Sequence, residues 1–152
     1  MPEPHSSKIH RIRLQGPWEW AAPALSPDQA WTWNRIRLPE EWDRLPLMVG
    51  AVWFRRRFNA LTGITPSDRI RVAIPIQQSS ISVNLNGQQL VRIPSTGDGL
   101  PSAMRFELTP YLTARNLLEI VFENGVSPSN PESGLGQPVV LEIESFPTAM
   151  GA

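Results

Sequence analysis

The 152-residue sequence predicts an all-β fold, a sandwich or barrel built from short strands. Its dominant hydrophobic period is two, and an Asn-Gly dipeptide sits between two alternating runs. No segment carries a sustained helical stripe. Sixteen prolines and ten glycines divide the chain into short elements joined by turns.

Candidate strands occupy residues 9–14, 32–38 and 52–58 in the first part of the chain. Arg69-Ile70-Arg71-Val72-Ala73-Ile74 then alternates strictly. Strand side chains point to opposite faces in turn, so Ile70, Val72 and Ile74 share one face and Arg69 and Arg71 the other. Residues 80–85 alternate in the same way and run into Asn86-Gly87. That pair tolerates the positive φ angles of a type I′ turn, which predicts a hairpin with residues 88–93 as the returning strand. Further strands are predicted at 104–108, 117–122 and 139–143. Thr109-Pro110-Tyr111-Leu112 reads as one helical turn, with Thr109 as N-cap and Pro110 in the first position. The Pro/Gly/Ser-rich stretches 21–28, 94–102 and 125–136 read as surface loops. The chain thus reads as one sandwich domain over residues 9–146, with flexible tails at 1–8 and 147–152.

Fourteen basic and fourteen acidic residues give a net charge of zero, which argues against a dedicated nucleic-acid or anionic-membrane binder. With no cysteine, disulfides, thiolate metal sites and cysteine nucleophiles are excluded. The two histidines, His5 and His10, fall in the polar N-terminal stretch, so no histidine-rich metal site is expected. No signal peptide and no apolar run of membrane-spanning length is seen, and a cytoplasmic protein is the expectation.

Arginine outnumbers lysine thirteen to one, and the unit Arg-x-Arg recurs at Arg11/Arg13, Arg35/Arg37, Arg55/Arg57 and Arg69/Arg71. On strands each pair shares a face. Such a plane is either an anion-binding surface or a solvated face neutralised across strands by Glu107, Glu119, Glu123, Glu142 and Glu144. Glu40-Glu41 reads as a solvated turn, because adjacent carboxylates cannot face each other across a sugar. Glu142 and Glu144 read as the outer surface of their sheet. Ser79, Ser80 and Thr109 lack a histidine base nearby in the folded part. Asp98, between two glycines, reads as a polar turn; a structural calcium there is not supported. Trp18, Trp20, Trp42 and Trp53 read as core, while Trp31 and Trp33 share one strand face and form the candidate exposed pair. In residues 53–58, Phe54, Arg56 and Phe58 lie on one face and Trp53, Arg55 and Arg57 on the other, with the inward set left open.

An ordered set of motifs spans residues 14–143. It comprises Gln15-Gly16-Pro17-Trp18-Glu19-Trp20, Leu38-Pro39-Glu40-Glu41-Trp42, Val52-Trp53-Phe54-Arg55-Arg56-Arg57-Phe58, Val83-Asn84-Leu85-Asn86-Gly87, Phe106-Glu107-Leu108-Thr109-Pro110-Tyr111-Leu112 and Asn116-Leu117-Leu118-Glu119-Ile120. The set resembles the N-terminal sugar-binding domain of family 2 glycoside hydrolases, the β-galactosidase and β-glucuronidase group. That resemblance implies a jelly-roll β-sandwich of the galactose-binding-like type, here expected to stand alone without the catalytic barrel. Residues 93–100 hold no histidine, and 127–133 hold neither Asp nor Trp, so the family's sugar contacts do not carry over.

The expected function is a non-catalytic module for carbohydrate or another polar ligand, held by loops at one end of the sandwich. The candidate loops are 23–33, 94–100 and 127–136, supplying Trp31 and Trp33 for stacking and Asp98, Asn130 and Glu132 for hydrogen bonds. The alternatives are an interaction scaffold, through self-association or a protein partner, and an accessory subunit of a separately encoded glycosidase. No catalytic residue, cofactor, metal, nucleic-acid or membrane partner is expected.

Overall fold

The computed structural model describes residues 8–22, 32–45, 50–74, 81–93, 103–126, 135 and 138–145. Their strands are β1 (Lys8–Arg13), β2 (Gly16–Ala21), β3 (Asn34–Leu38), β4 (Val52–Asn59), β5 (Arg69–Ile74), β6 (Ile81–Leu85), β7 (Gln88–Gln89), β8 (Arg92–Ile93), β9 (Met104–Glu107), β10 (Arg115–Phe122) and β11 (Val140–Ser145). They form two antiparallel sheets, ordered β1-β11-β5-β9-β8 and β3-β2-β4-β10-β6-β7. The expected all-β jelly-roll sandwich is thus the observed fold, and the core lies between the sheets.

Alternation decides which residues enter that core. Ile70, Val72 and Ile74 on β5 and Leu141 and Ile143 on β11 are buried from one sheet. Val52 and Phe54 on β4, Val83 and Leu85 on β6, and Leu118, Ile120 and Phe122 on β10 meet them from the other. This settles the inward set of β4: Phe54 is fully buried, and Trp53, Arg55 and Arg57 face outward. Arg56, on the inner side near the strand end, gives its guanidinium hydrogens to the Gln15 carbonyl at 2.7 and 3.1 Å.

The Leu38–Pro39 bond is cis, and the following turn leads into a 3₁₀ turn at Trp42–Arg44. Trp42 is thereby laid on the core, its ring centroid 5.7 Å from Phe54 and 6.1 Å from Phe122. Such tilted aromatic contacts add to the area they bury. Trp18, also fully buried, donates its indole hydrogen to the Leu14 carbonyl at 2.9 Å.

Several expectations need correction. Gly16–Ala21 is a strand, because Trp18 points into the core while Glu19 points out. The return after the hairpin is not one strand. Leu90 turns into the core at 5% exposure, so β7 stays in the six-stranded sheet while β8 crosses to the other. Trp53 is half-buried on the outer face rather than in the core, since its neighbour Phe54 takes the inner position. Trp20 is only partly buried against the core. His10 lies within β1, opposite Ile143, and is exposed on this edge strand. Thr109 does not cap its turn, whose N-cap is Leu108. Its hydroxyl instead accepts from the Ile70 amide at 2.8 Å and also bonds Glu107, tying the turn to β5 and β9.

The hairpin stands as expected, with Asn86 at φ 52° and Gly87 at φ 83° joining β6 to β7. Asn86 does more than tolerate the turn. Its side chain accepts from the Leu117 amide at 2.8 Å and donates to the Asn116 side chain at 3.0 Å, fastening the tip to β10. Gly87→Val places a β-branched residue at strongly positive φ, where strain is on the order of 1–3 kcal/mol. The variant should melt below the parent in a thermal denaturation, and equal melting would refute the turn.

Candidate functional site

The outer faces of both sheets carry arginine, and the two faces differ. On the five-stranded sheet, Glu142 gathers three guanidinium groups. Arg105 donates at 2.8 and 3.2 Å, Arg71 at 3.1 Å and Arg11 at 3.3 Å. Arg71 also reaches Glu144 at 3.6 Å, and Arg69 pairs with Glu107 at 2.8 Å. Neutralisation across strands is therefore the correct reading here, with Glu107, Glu142 and Glu144 as the acids. Glu142 itself is not solvated as expected of an outer surface. It is 1% exposed, despite lying on the outer side of its sheet. Burial is the largest single influence on its carboxyl group and pushes the pKa up. The hydrogen bonds and charges of Arg105 and Arg71 together outweigh it, so the pKa lies below the ordinary carboxylate value.

On the six-stranded sheet, cross-strand register builds a different surface. Arg35, Glu19, Arg55 and Glu119 stand in one row across β3, β2, β4 and β10. The next row on one side holds Ala21, Trp53 and Val121 on adjacent strands. Trp33 immediately precedes β3, and the Arg55 guanidinium carbon lies 3.7 Å from its ring centroid. That is a close cation–π stack. Glu19 Oε1 accepts from Arg55 at 2.8 Å and from Arg57 at 2.9 Å. The Arg55 hydrogen bond is the main reason its pKa falls below the ordinary value, with burial opposing and Arg57 adding to the fall. Glu119 and Glu123 form no ion pair among the described residues, so Glu19 takes the role expected of Glu119.

Beside this cluster is a cleft of about 320 Å³, lined by Pro17, Trp18, Glu19, Arg35, Arg55, Arg56 and Arg57. Arg35 is exposed, and its guanidinium has no hydrogen-bond or ion-pair partner among the described residues. A second hollow of about 230 Å³, lined by Trp20, Arg35, Ile36, Glu41, Arg44 and Leu45, also meets Arg35.

Of the five binding residues expected from sequence, Trp33 is placed at the edge of this surface. Trp31, Asp98, Asn130 and Glu132 lie outside the described residues, as do Ser79 and Ser80. Glu40-Glu41 is a turn, as expected. Glu41 accepts from the Arg37 amide at 2.7 Å and pairs with Arg44 at 3.1 Å. Sequence reasoning missed Glu19, Arg35 and Arg55 as one cluster. The Trp18-Glu19-Trp20 alternation was the available signal, because it sets Glu19 on the outer face beside the Arg-x-Arg pairs.

No family model matches the chain, and no curated protein matches it. Solved structures do. A β-glucuronidase from Faecalibacterium prausnitzii matches 95% of this chain at 17% identity with a TM-score of 0.61, using 33% of the enzyme. A β-glucuronidase from Bacteroides uniformis matches 90% at 18% identity and a TM-score of 0.61, using 18% of its chain. A glycosyl hydrolase family 2 member from Bacteroides cellulosilyticus matches 88% at 17% identity and a TM-score of 0.59, using 20% of its chain. The fold is family 2 glycoside hydrolase-like. The chain spans only about a fifth to a third of the length of these enzymes. No helix among the described residues is long and apolar enough to cross a membrane.

Both depressed carboxyl groups, Glu142 and Glu19, contribute stability that is present above their unfolded-state pKa. That contribution is lost as the pH falls through the lower, folded-state value. Glu142→Gln leaves three arginines without their shared counter-ion and should destabilise the fold at pH 7 by up to about 3–5 kcal/mol. In urea denaturation the gap between parent and variant should close as the pH drops below the ordinary carboxylate value of about 4.3. A gap that is constant down to acid pH would show that the charge is not what Glu142 contributes.

Proposed function

We propose that this chain is a non-catalytic carbohydrate-binding module whose ligand sits on the outer face of the six-stranded sheet, where Trp33 enters β3. The observation that carries this is the Trp33–Arg55–Glu19–Arg57 cluster beside an open cleft. It offers an aromatic ring, fixed donors and an ionised acceptor on adjacent strands. Saccharide recognition uses these groups, since hydroxyls need donors and acceptors while the C–H face needs an apolar ring. The likeness to glycoside hydrolases supports a carbohydrate ligand by analogy of fold.

The non-catalytic part of the reading is supported by the state of the carboxylates. Hydrolysis of a glycoside needs two carboxyl groups opposed across the bond. Glu142, Glu107, Glu19 and Glu41 are each engaged by arginine, and Glu40 and Glu41 are neighbours on one turn. The purified protein should give no turnover of chromogenic glycosides above buffer, and turnover abolished by Glu40→Gln or Glu41→Gln would overturn this part.

Binding is checked by NMR with labelled tryptophan side chains against a panel of soluble glycans. Affinity should be weak, because one ring and a few exposed hydrogen bonds leave little surplus after ordering costs. A ligand should shift the Trp33 indole resonance, and Trp33→Ala should abolish the response without unfolding the protein. Silence across the panel, together with a concentration-dependent dimer in solution, would favour a scaffold instead.

A further inference from the structure

Charge is unevenly resolved over the two outer faces. On the five-stranded sheet the carboxylates Glu107, Glu142 and Glu144 take up Arg11, Arg69, Arg71 and Arg105, while Arg13, at the end of the edge strand β1, has no carboxylate partner among the described residues. The strands of the six-stranded sheet direct Arg35, Arg37, Arg55, Arg57 and Arg115 outward against only Glu19 and Glu119. Of these arginines only Arg55 and Arg57 have a carboxylate partner among the described residues, and they share the same one. The surplus is concentrated at the cleft, where Arg35, Arg55 and Arg57 face a single ionised acid, Glu19.

We infer that the cleft selects acidic saccharides, recognising the carboxylate of a uronic-acid residue through Arg35 and Arg57. This rests on the carbohydrate-module reading above and names the ligand class of that site. A guanidinium presents paired N–H donors in a plane that matches a carboxylate bidentately, and among the described residues nothing takes up the donors of the Arg35 fork. Arg57 is 63% exposed at its side chain and gives one nitrogen to Glu19, leaving donors for a ligand. Glu19 holds Arg55 and Arg57 in place, and its other oxygen is able to accept from a sugar hydroxyl. Pro17 supplies apolar surface in the lining, and Trp33 stacks on Arg55 beside it. A volume of about 320 Å³ is at the small end of ligand pockets, which suits one or two sugar rings rather than a polymer held along its length.

The test uses the whole chain in low-salt buffer, where screening is least. Trigalacturonic acid and its fully methyl-esterified form are titrated while the Trp33 indole and arginine guanidinium resonances are followed. The acid should bind about tenfold or more tightly than the ester, the difference made by hydrogen bonds to a charged group. Arg35→Gln should erase that preference without lowering the melting temperature. Arg13→Gln, on the other sheet, should leave it intact. Equal affinity for acid and ester, both shifting Trp33, would overturn the acidic specificity while leaving the module reading standing. Silence of both ligands and of the neutral glycan panel would overturn both. Inorganic sulfate or polyglutamate binding as tightly as the acid, with the same Arg35 dependence, would show a general anion site and overturn the saccharide assignment.

Discussion

The register of β4 against β10 is the constraint on which both the core and the candidate site depend. These two eight-residue strands pair along their full length at the centre of the six-stranded sheet. The pairing sets Phe54 against Ile120 and Val52 against Phe122 on the inner face, where all four are buried. The same pairing sets Trp53 against Val121 and Arg55 against Glu119 outside. A slip of one residue would send Arg55 inward and Phe54 to water. Burying an unpaired guanidinium and exposing a phenylalanine are both unfavourable, so the two faces enforce one register together. The arrangement of the cleft follows from core packing.

The two arginine faces show how one residue type ends in different states through its neighbours. Arg71 and Arg105 have side chains 15% and 14% exposed; Arg71 on β5 meets Glu142 on the adjacent strand β11, and Arg105 on β9 reaches it across β5. Every added arginine there strengthens the case for a single buried carboxylate, because removing any one leaves the others still paired. On the six-stranded sheet the acids are spaced differently. Glu19 on β2 stands between Arg35 and Arg55, yet it bonds only the β4 arginines. Arg35, on the edge strand β3, is therefore left with its charge facing the cleft. Edge strands commonly carry charge to discourage pairing with another sheet, which is a sufficient structural reason for arginines at Arg35 and Arg37. It does not account for Arg35 gathering with Arg55, Arg57 and Pro17 around one hollow.

Most of the fold was legible because alternation is a local signal with a single physical cause. Residues 69–74 and 81–85 read correctly since each inner side chain is aliphatic and each turn carries its own chemistry, above all Asn86-Gly87. β2 was not legible because Gly16-Pro17 punctuates its start, and a proline is tolerated there without disturbing the pairing with β3 and β4. The split of residues 88–93 depends on Leu90 finding the core, a tertiary fact with no local signature. The outward placement of Trp53 has the same origin, because two large aromatics in succession cannot both face inward and only partner strands decide between them. Of the site, sequence could reach Trp33 and the Arg-x-Arg pairs separately. Their convergence with Glu19 needed the order β3-β2-β4, which joins segments 36 and 38 residues apart in the ion pairs.

The proposed site is built on strands, which fixes part of it before any ligand arrives. Arg55 is held by Glu19 at 2.8 Å and by the Trp33 ring at 3.7 Å, so little of its rotamer freedom remains to be lost. Ordering a long side chain on binding costs about 0.5–1.5 kcal/mol, and here folding has already met that cost. Arg35 has no such support among the described residues, so a ligand bound there would itself have to order it. The cleft thus combines a preorganised half, Arg55 with Glu19, and an adaptable half at Arg35. Under the proposed reading, orientation of a ligand would fall to the first, and the choice between charged and neutral ligands to the second.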